Sequence, residues 1–361
     1  VSHEADRDEA EVSLERKVAF LRQPDAYADH PGFVEAKETH MSWVFLTREH
    51  AYKLKKPIRR GPLDYASLAA RRLNARREVV LNRRLAPSVY LGTVALCIDA
   101  DARLHLGGGG RAVDWLVQMR RLPQEHTLEQ AILEHRLDEA AVRGAARCLA
   151  LFFRAARPVP LTPDAYRARF EALIRDTHHA LQRPMFELSR EHLQQLADAQ
   201  LGFLAAQAAA FGARAGHVVE GHGDLRPEHV YLGDEPLVMD CLEFDRSLRE
   251  LDPADELAFL AMECERLGEP AVGPWLFAVY REVSGDAVAP ALTAFYAASR
   301  AFLRAKLALW HLDSPGADPA HWRLRAHHYL ALAEKHVHVA QTAAGLTATV
   351  APDSRPVVPV R

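Results

Sequence analysis

Apolar side chains at Val12, Leu14, Val18, Ala19 and Leu21 recur with helical spacing up to Gln23-Pro24, which predicts a short leading helix over 11–22. From Phe33 to Ile58 the pattern changes. SWVFLT and HAYKLKKPI are β-branched or aromatic runs parted by Arg48-Glu49-His50, predicting strand, turn and strand in a meander. LAARRLNARREVVLNRRL at 68–85 joins strong helix formers to apolar positions every three or four residues, a helix that stops before Ala86-Pro87. VYLGTVALCI, ARLHL and VDWLVQMRRL predict three further strands, separated by Asp99-Ala100-Asp101 and by the glycines Gly107 to Gly110. Beyond Pro123 the chain turns to long amphipathic segments rich in Ala and Leu. Helices are predicted over 127–156, 163–181, 189–213, 253–284, 288–312 and 319–342, with a β-rich island from Val218 to Glu243. No internal repeat is visible, and the Pro-rich tail at 346–361 reads as an extended linker or a frayed end.

This order predicts an α+β chain of two lobes with a cleft between them. Residues 1–121 form an antiparallel sheet with a leading helix and one long helix, and 122–345 form a larger, mostly helical lobe. At 361 residues the chain exceeds the size at which one core usually stops growing. Apolar residues at 49% and charged residues at 26% are the mixture of an ordinary globular protein. The 45 basic and 48 acidic residues leave a net charge of −3, so no global field attracts a polyanion and nucleic acid is not an expected partner. Cys97, Cys148, Cys241 and Cys264 are far apart with no C-x-x-C pair, which fits neither a zinc ribbon nor a dithiol motif and suits a reducing cytoplasm. The acidic start lacks an apolar leader core and no apolar run approaches ~18 residues, so neither export nor a membrane span is expected.

The chemistry concentrates in HGDLRPEHVYL at 222–232 and LVMDCLEF at 237–244. An acid in a polar loop, followed 16 residues later by a second acid at the end of a strand, can divide the work of phosphoryl transfer. One carboxylate accepts the proton of an attacking hydroxyl; the other holds the metal that bridges the nucleotide phosphates. H-G-D-L-x-P followed by an Asp at this distance resembles the catalytic and metal-binding loops of aminoglycoside phosphotransferases and related choline-kinase-like enzymes, which have a protein-kinase-like fold. LDPADELAFL at 251–260 resembles the D-P-x-x-D-L-A segment of the same family.

The resemblance implies Asp224 as catalytic base, Asp240 as metal ligand, and either Asp255 or Glu256 as the acid that braces the loop near His222. It further implies ATP and Mg2+ as cofactors. In AYKLKKP, Lys53 and Lys55 share one strand face while Leu54 takes the other. The resemblance favours Lys53 as the phosphate-facing lysine with Glu78 as its helix acid; a solvated edge of lysines and a surface glutamate is the alternative. KETHMSWVF at 37–45 stands where a kinase covers the phosphates but has no glycine, so Thr39, His40 and Ser42 either offer donors to phosphate or belong to an ordinary hairpin. Gly107 to Gly110 reads as a hairpin turn, and the absence of G-x-x-x-x-G-K-[ST] excludes a P-loop in this chain. Met119 to Leu122 stand at the expected hinge, with backbone groups for adenine.

Two positions depart from the family. His229 stands where the family has an Asn that helps to hold magnesium. Imidazole suits softer metals, so the second metal is absent, held differently or replaced by Mn2+, or the chain is a nucleotide-binding pseudoenzyme. Arg226 either grips the transferred phosphate or forms a salt bridge to Glu228 or Asp224. The acids between 243 and 265 either hold a cationic substrate or form a solvated helix face. His327, His328, His336 and His338 fit a surface or core role better than a zinc site. Three functions follow. The leading one is an ATP-dependent kinase acting on a small-molecule hydroxyl; the others are a regulatory nucleotide-binding module and a transferase acting on a protein or nucleotide. Some members of the group carry a P-loop ATPase part after such a domain, which makes a P-loop partner domain or protein a further expectation.

Overall fold

The computed structural model describes residues 12–61, 63–314 and 316–347. The tail expected over 346–361 lies, from residue 348 onward, outside the described residues. Two compact units make up the chain. The first runs to Pro123 and also takes Val238–Arg246; the second comprises Gln124–Leu237 and the chain from Ser247 onward. Segment 238–246, which the sequence assigns to the helical lobe, therefore belongs with the sheet.

In the first unit α1 spans Leu14–Leu21, with the Ser13 hydroxyl accepting from the Arg16 N–H at its start. The strands are β1 (Glu35–Glu38), β2 (Ser42–Leu46), β3 (His50–Lys55), the short pair β4 (Arg59–Arg60) and β5 (Leu63–Asp64), then β6 (Tyr90–Ile98), β7 (Leu104–Leu106) and β8 (Arg111–Arg120). Six of them form one sheet in the order β1-β2-β3-β8-β6-β7, with every pairing antiparallel. Strand β1, with the sequence EAKE, carries no apolar pattern that would mark it in the sequence. As an edge strand it pairs, among the described residues, only with β2, and charged side chains on an edge guard against further pairing. Val18 and Leu21 of α1 pack with Phe45, Leu54, Leu96 and Leu116 on one face of the sheet. Helix α2 (Leu68–Asn82) lies against the other face, to which the period of two sends Lys53 and Lys55. Gly107 and Gly108 have positive φ, and at Gly110 (φ +99) a Cβ would stand 2.6 Å from the Ile98 carbonyl oxygen, so the glycine run makes the β7–β8 hairpin turn.

The second unit is helical: α3 (Leu128–Leu133), α4 (Glu139–Ala155), α5 (Pro163–Leu181), α6 (Arg190–Ala206), α7 (Ala208–Arg214), α8 (Pro253–Arg266), α9 (Val272–Ser284), α10 (Pro290–Trp310) and α11 (Pro319–Ala343). Three predicted helices are each two. The 127–156 helix breaks where His135 takes φ +53, the 189–213 helix breaks at Gln207, and the 253–284 helix ends at Gly268 (φ +97). Helix α10 packs along α11 and against α5 and α8, around Phe203, Phe211, Phe295, Tyr296 and Tyr329. None of the helices among the described residues is long and apolar enough to cross a membrane.

Candidate active site

The sheet unit gathers a charged cluster under α2. Glu78, fully buried, has Oε1 3.0 Å from Lys53 Nζ and Oε2 2.5 Å from Lys55 Nζ. Lys53 Nζ also lies 2.6 Å from Asp240 Oδ1. Burial works to lower the Lys53 pKa, but Asp240, Glu78 and Glu243 outweigh it and hold the ammonium well above its ordinary value. Asp240 itself has φ +61, a left-handed conformation rare for a residue with a Cβ. Its N–H donates to the Tyr90 hydroxyl at 3.2 Å, and the next N–H, that of Cys241, donates to Asn82 Oδ1 at 2.9 Å, which stitches the acid to β6 and α2. Glu243 accepts from both Lys55 Nζ and the Tyr65 hydroxyl. Burial raises the Glu243 pKa, yet Lys55 and then Lys53 bring it below the usual glutamate value.

Other predicted nucleotide contacts are more occupied. Ser42 is buried at the start of β2; its N–H is bonded by Thr39 Oγ1, and its carbonyl accepts from the Thr39 N–H and hydroxyl, which closes a hairpin. Met119 lies inside β8, opposite Ala51 on one side and Tyr90 on the other. The N–H groups of Arg120 and Arg121 donate to Val89 and Glu49, and Leu122 follows, half-buried.

In the helical unit the loop at 221–229 is held from α8. Glu256 accepts the N–H of His222 at 2.8 Å through Oε2 and the N–H of Gly223 through Oε1. Gly221 leaves room for this carboxylate, since a Cβ there would meet Glu256 Oε2 at 2.1 Å. Asp255 is turned away, bidentate on Arg300 at 2.7 and 2.6 Å, so Glu256 is the brace. Arg226 clasps Asp224 Oδ2 with Nε at 3.0 Å and Nη2 at 2.9 Å, while its Nη1 reaches Glu228. Burial raises the Asp224 pKa, but the positive charges around it, Arg226 foremost, pull it below the ordinary aspartate value. His229 Nδ1 lies 2.8 Å from the Asp224 carbonyl oxygen and Nε2 lies 3.3 Å from Arg226 Nη2. The carbonyl requires a proton on Nδ1, which leaves Nε2 to accept from the guanidinium.

The acids of α8 and its approach are engaged by basic or hydroxyl side chains. Glu250 meets Arg169, Asp252 meets Arg214, Glu263 meets Arg266, Arg304 and Tyr329, and Glu265 meets Lys335 and His336. They form neither a solvated face nor a ready cradle for a cation. The residues the sequence did not single out are Tyr65 and the pairing of Lys55 with Glu243; the signals were the period of two after Lys53 and an acid three places beyond Asp240.

No protein-family model matches the chain. Uncharacterized proteins of Mycobacterium tuberculosis and Mycobacterium bovis are 34% identical to it over 288 residues, or 77% of this chain and 55% of the relative. The chain thus spans about half the length of the curated relatives it matches. A choline/ethanolamine kinase family protein from Mesorhizobium loti superposes with a TM-score of 0.53 at 16% identity, covering 90% of this chain and 99% of that one. Spectinomycin phosphotransferase in complex with ADP and spectinomycin gives 0.50 at 9% identity, covering 91% and 99%. The chain has the choline-kinase and aminoglycoside-phosphotransferase fold. It shares that kinase-like fold, an antiparallel sheet with one helix followed by a mainly helical part, with enzymes that phosphorylate small molecules.

Proposed function

We propose that this chain is an ATP-dependent phosphotransferase that moves the γ-phosphate to a hydroxyl of a small molecule, such as an amino sugar or a sugar. The observation that carries the reading is Lys53 Nζ within 3.0 Å of both Glu78 and Asp240, three residues from separate segments, in a chain with a small-molecule-kinase fold. Lys53, kept charged and oriented by Glu78, is assigned to the nucleotide phosphates. Asp240 suits magnesium: it is a hard oxygen donor, 43% exposed, that already has a cation at Oδ1. Among the described residues no group of three or more His, Cys, Asp and Glu side chains is gathered for a metal, and magnesium shared with phosphates needs no such cage. Bound there, the ion would offset the charge that develops on the phosphates.

Asp224 is the proposed base, ionised and 23% exposed. Arg226 occupies Oδ2, which leaves Oδ1 to accept the acceptor's proton. His229 is assigned to the internal bonding of the loop rather than to a metal. Because the α8 acids are engaged, a cationic acceptor would have to find its counter-charges elsewhere.

The test is transfer from γ-labelled ATP to a panel of sugars, amino sugars and amino alcohols. Asp224→Asn should lower turnover by roughly 10²–10⁴-fold with ATP affinity retained. Metal-dependent ATP binding with neither transfer nor hydrolysis for any acceptor would favour the second reading, a nucleotide-binding regulatory module. What favours that module is His229, bonded within the loop at the place where the resemblance expects a metal-holding Asn.

A further inference from the structure

Lys55 has no route to a nucleotide: its side chain is 1% exposed and its ammonium is spent on Glu78, Glu243 and the Tyr65 hydroxyl, with the Tyr65 ring centroid 4.8 Å away. A buried ammonium persists only where carboxylates compensate its lost hydration. The local charges are two lysines, Lys53 and Lys55, against three acids, Glu78, Asp240 and Glu243. Glu243 offsets Lys55, and Lys53 lies between Glu78 and Asp240, whose carboxylate carries the most exposed negative charge of the three acids. Without Glu243, Lys55 would compete for the same carboxylates and quench that charge. Without Lys55, Lys53 would be drawn toward three acids and away from phosphate.

We propose that Lys55 and Glu243 form a positioning pair that reserves Asp240 for a divalent cation and Lys53 for phosphate. The proposal rests on the reading of Asp240 as the metal-binding acid. It predicts opposite effects from its two halves, which a purely structural role does not. Glu243→Gln keeps the side chain's shape and its hydrogen-bonding oxygen. It should weaken Mn2+ binding at saturating ATP by about 10- to 100-fold, the scale on which the surroundings of a metal ligand act, while ATP binding in EDTA is unchanged or tighter. Lys55→Met should weaken ATP binding in EDTA and leave Mn2+ binding intact. Lys55→Met/Glu243→Gln, which removes the cation and its counter-charge together and keeps Lys53 beside Glu78, should return both affinities toward wild type.

The measurements are Mn2+ titration by electron paramagnetic resonance and metal-free ATP titration by calorimetry, on folded full chain, with Asp240→Asn beside them. If Asp240→Asn abolishes Mn2+ binding and Glu243→Gln leaves it at the wild-type value, or weakens metal and ATP binding alike, the positioning pair is overturned while Asp240 stands. If Asp240→Asn binds Mn2+ as well as wild type, the reading of Asp240 falls and the pair falls with it.

Discussion

At the scale of single residues, Arg226 favours the ionised form of Asp224. Burial by itself would raise the carboxyl's pKa, and the guanidinium on Oδ2 is the foremost charge that turns the balance. With the folded pKa below the ordinary 3.8, the ionised form contributes stability above that value and loses it as pH falls through the lower folded one. Arg226→Gln removes the charge, so the acid limb of the kcat/KM profile should move to higher pH. A pH–rate profile that keeps its acid limb in place would show that other groups hold Asp224 ionised. The sequence pattern singled out Lys53, Glu78 and Asp240, which the sheet unit brings within 3.0 Å of one another through Lys53 Nζ, because each stands in a short patterned segment. The choice between Asp255 and Glu256 could not, since adjacent helix residues point about 100° apart and only the packing of α8 shows which one faces the loop. That the carbonyl of Asp224 lies 2.8 Å from the His229 ring could not be read from the sequence either, since it depends on how the loop turns.

At the scale of elements, α8 carries the loop. Its Glu256 satisfies two buried N–H groups, and Glu256→Ala should cost about 2–5 kcal/mol, on the scale of leaving such donors unpaired, in urea denaturation of the full chain. The helix ends in a left-handed cap, in which Gly268 N–H bonds the Glu265 carbonyl and Glu269 N–H bonds that of Cys264. Gly268→Ala should therefore destabilise by roughly 1 kcal/mol. The sequence did signal this end, in Leu267-Gly268-Glu269-Pro270, although helical periodicity continues across it. The break at His135 gave no such signal, as a histidine at φ +53 carries no turn signature. The far end of α8 is tied to α11 by Glu265. Burial raises its pKa, but the hydrogen bond and charge of His336, with Lys335, bring it down to about 2. Its contribution is full above the ordinary 4.5 and is lost as pH falls toward about 2, so Glu265→Gln should flatten the loss of stability measured between those values.

At the scale of the whole chain, three motif segments in order over about 40 residues were enough to read the fold, whereas the direction of the His229 imidazole could not be read from them. A ligand bound only by the folded chain stabilises it by about 2.7 kcal/mol at 100 times Kd, which appears as a rise of several degrees in melting temperature. ATP with Mg2+ should raise the melting temperature of the wild type, and Asp240→Ala should lose the metal-dependent part of that rise. Mn2+ adds the discriminating arm. An imidazole ligand favours manganese over magnesium, because nitrogen suits the softer ion. If His229 stays bonded to Asp224 and Arg226, the difference between the Mn2+ and Mg2+ shifts will be the same in wild type and His229→Asn. A manganese preference present in wild type and erased in His229→Asn would instead make His229 a ligand, and would require Arg226 to release its Nε2 when nucleotide binds.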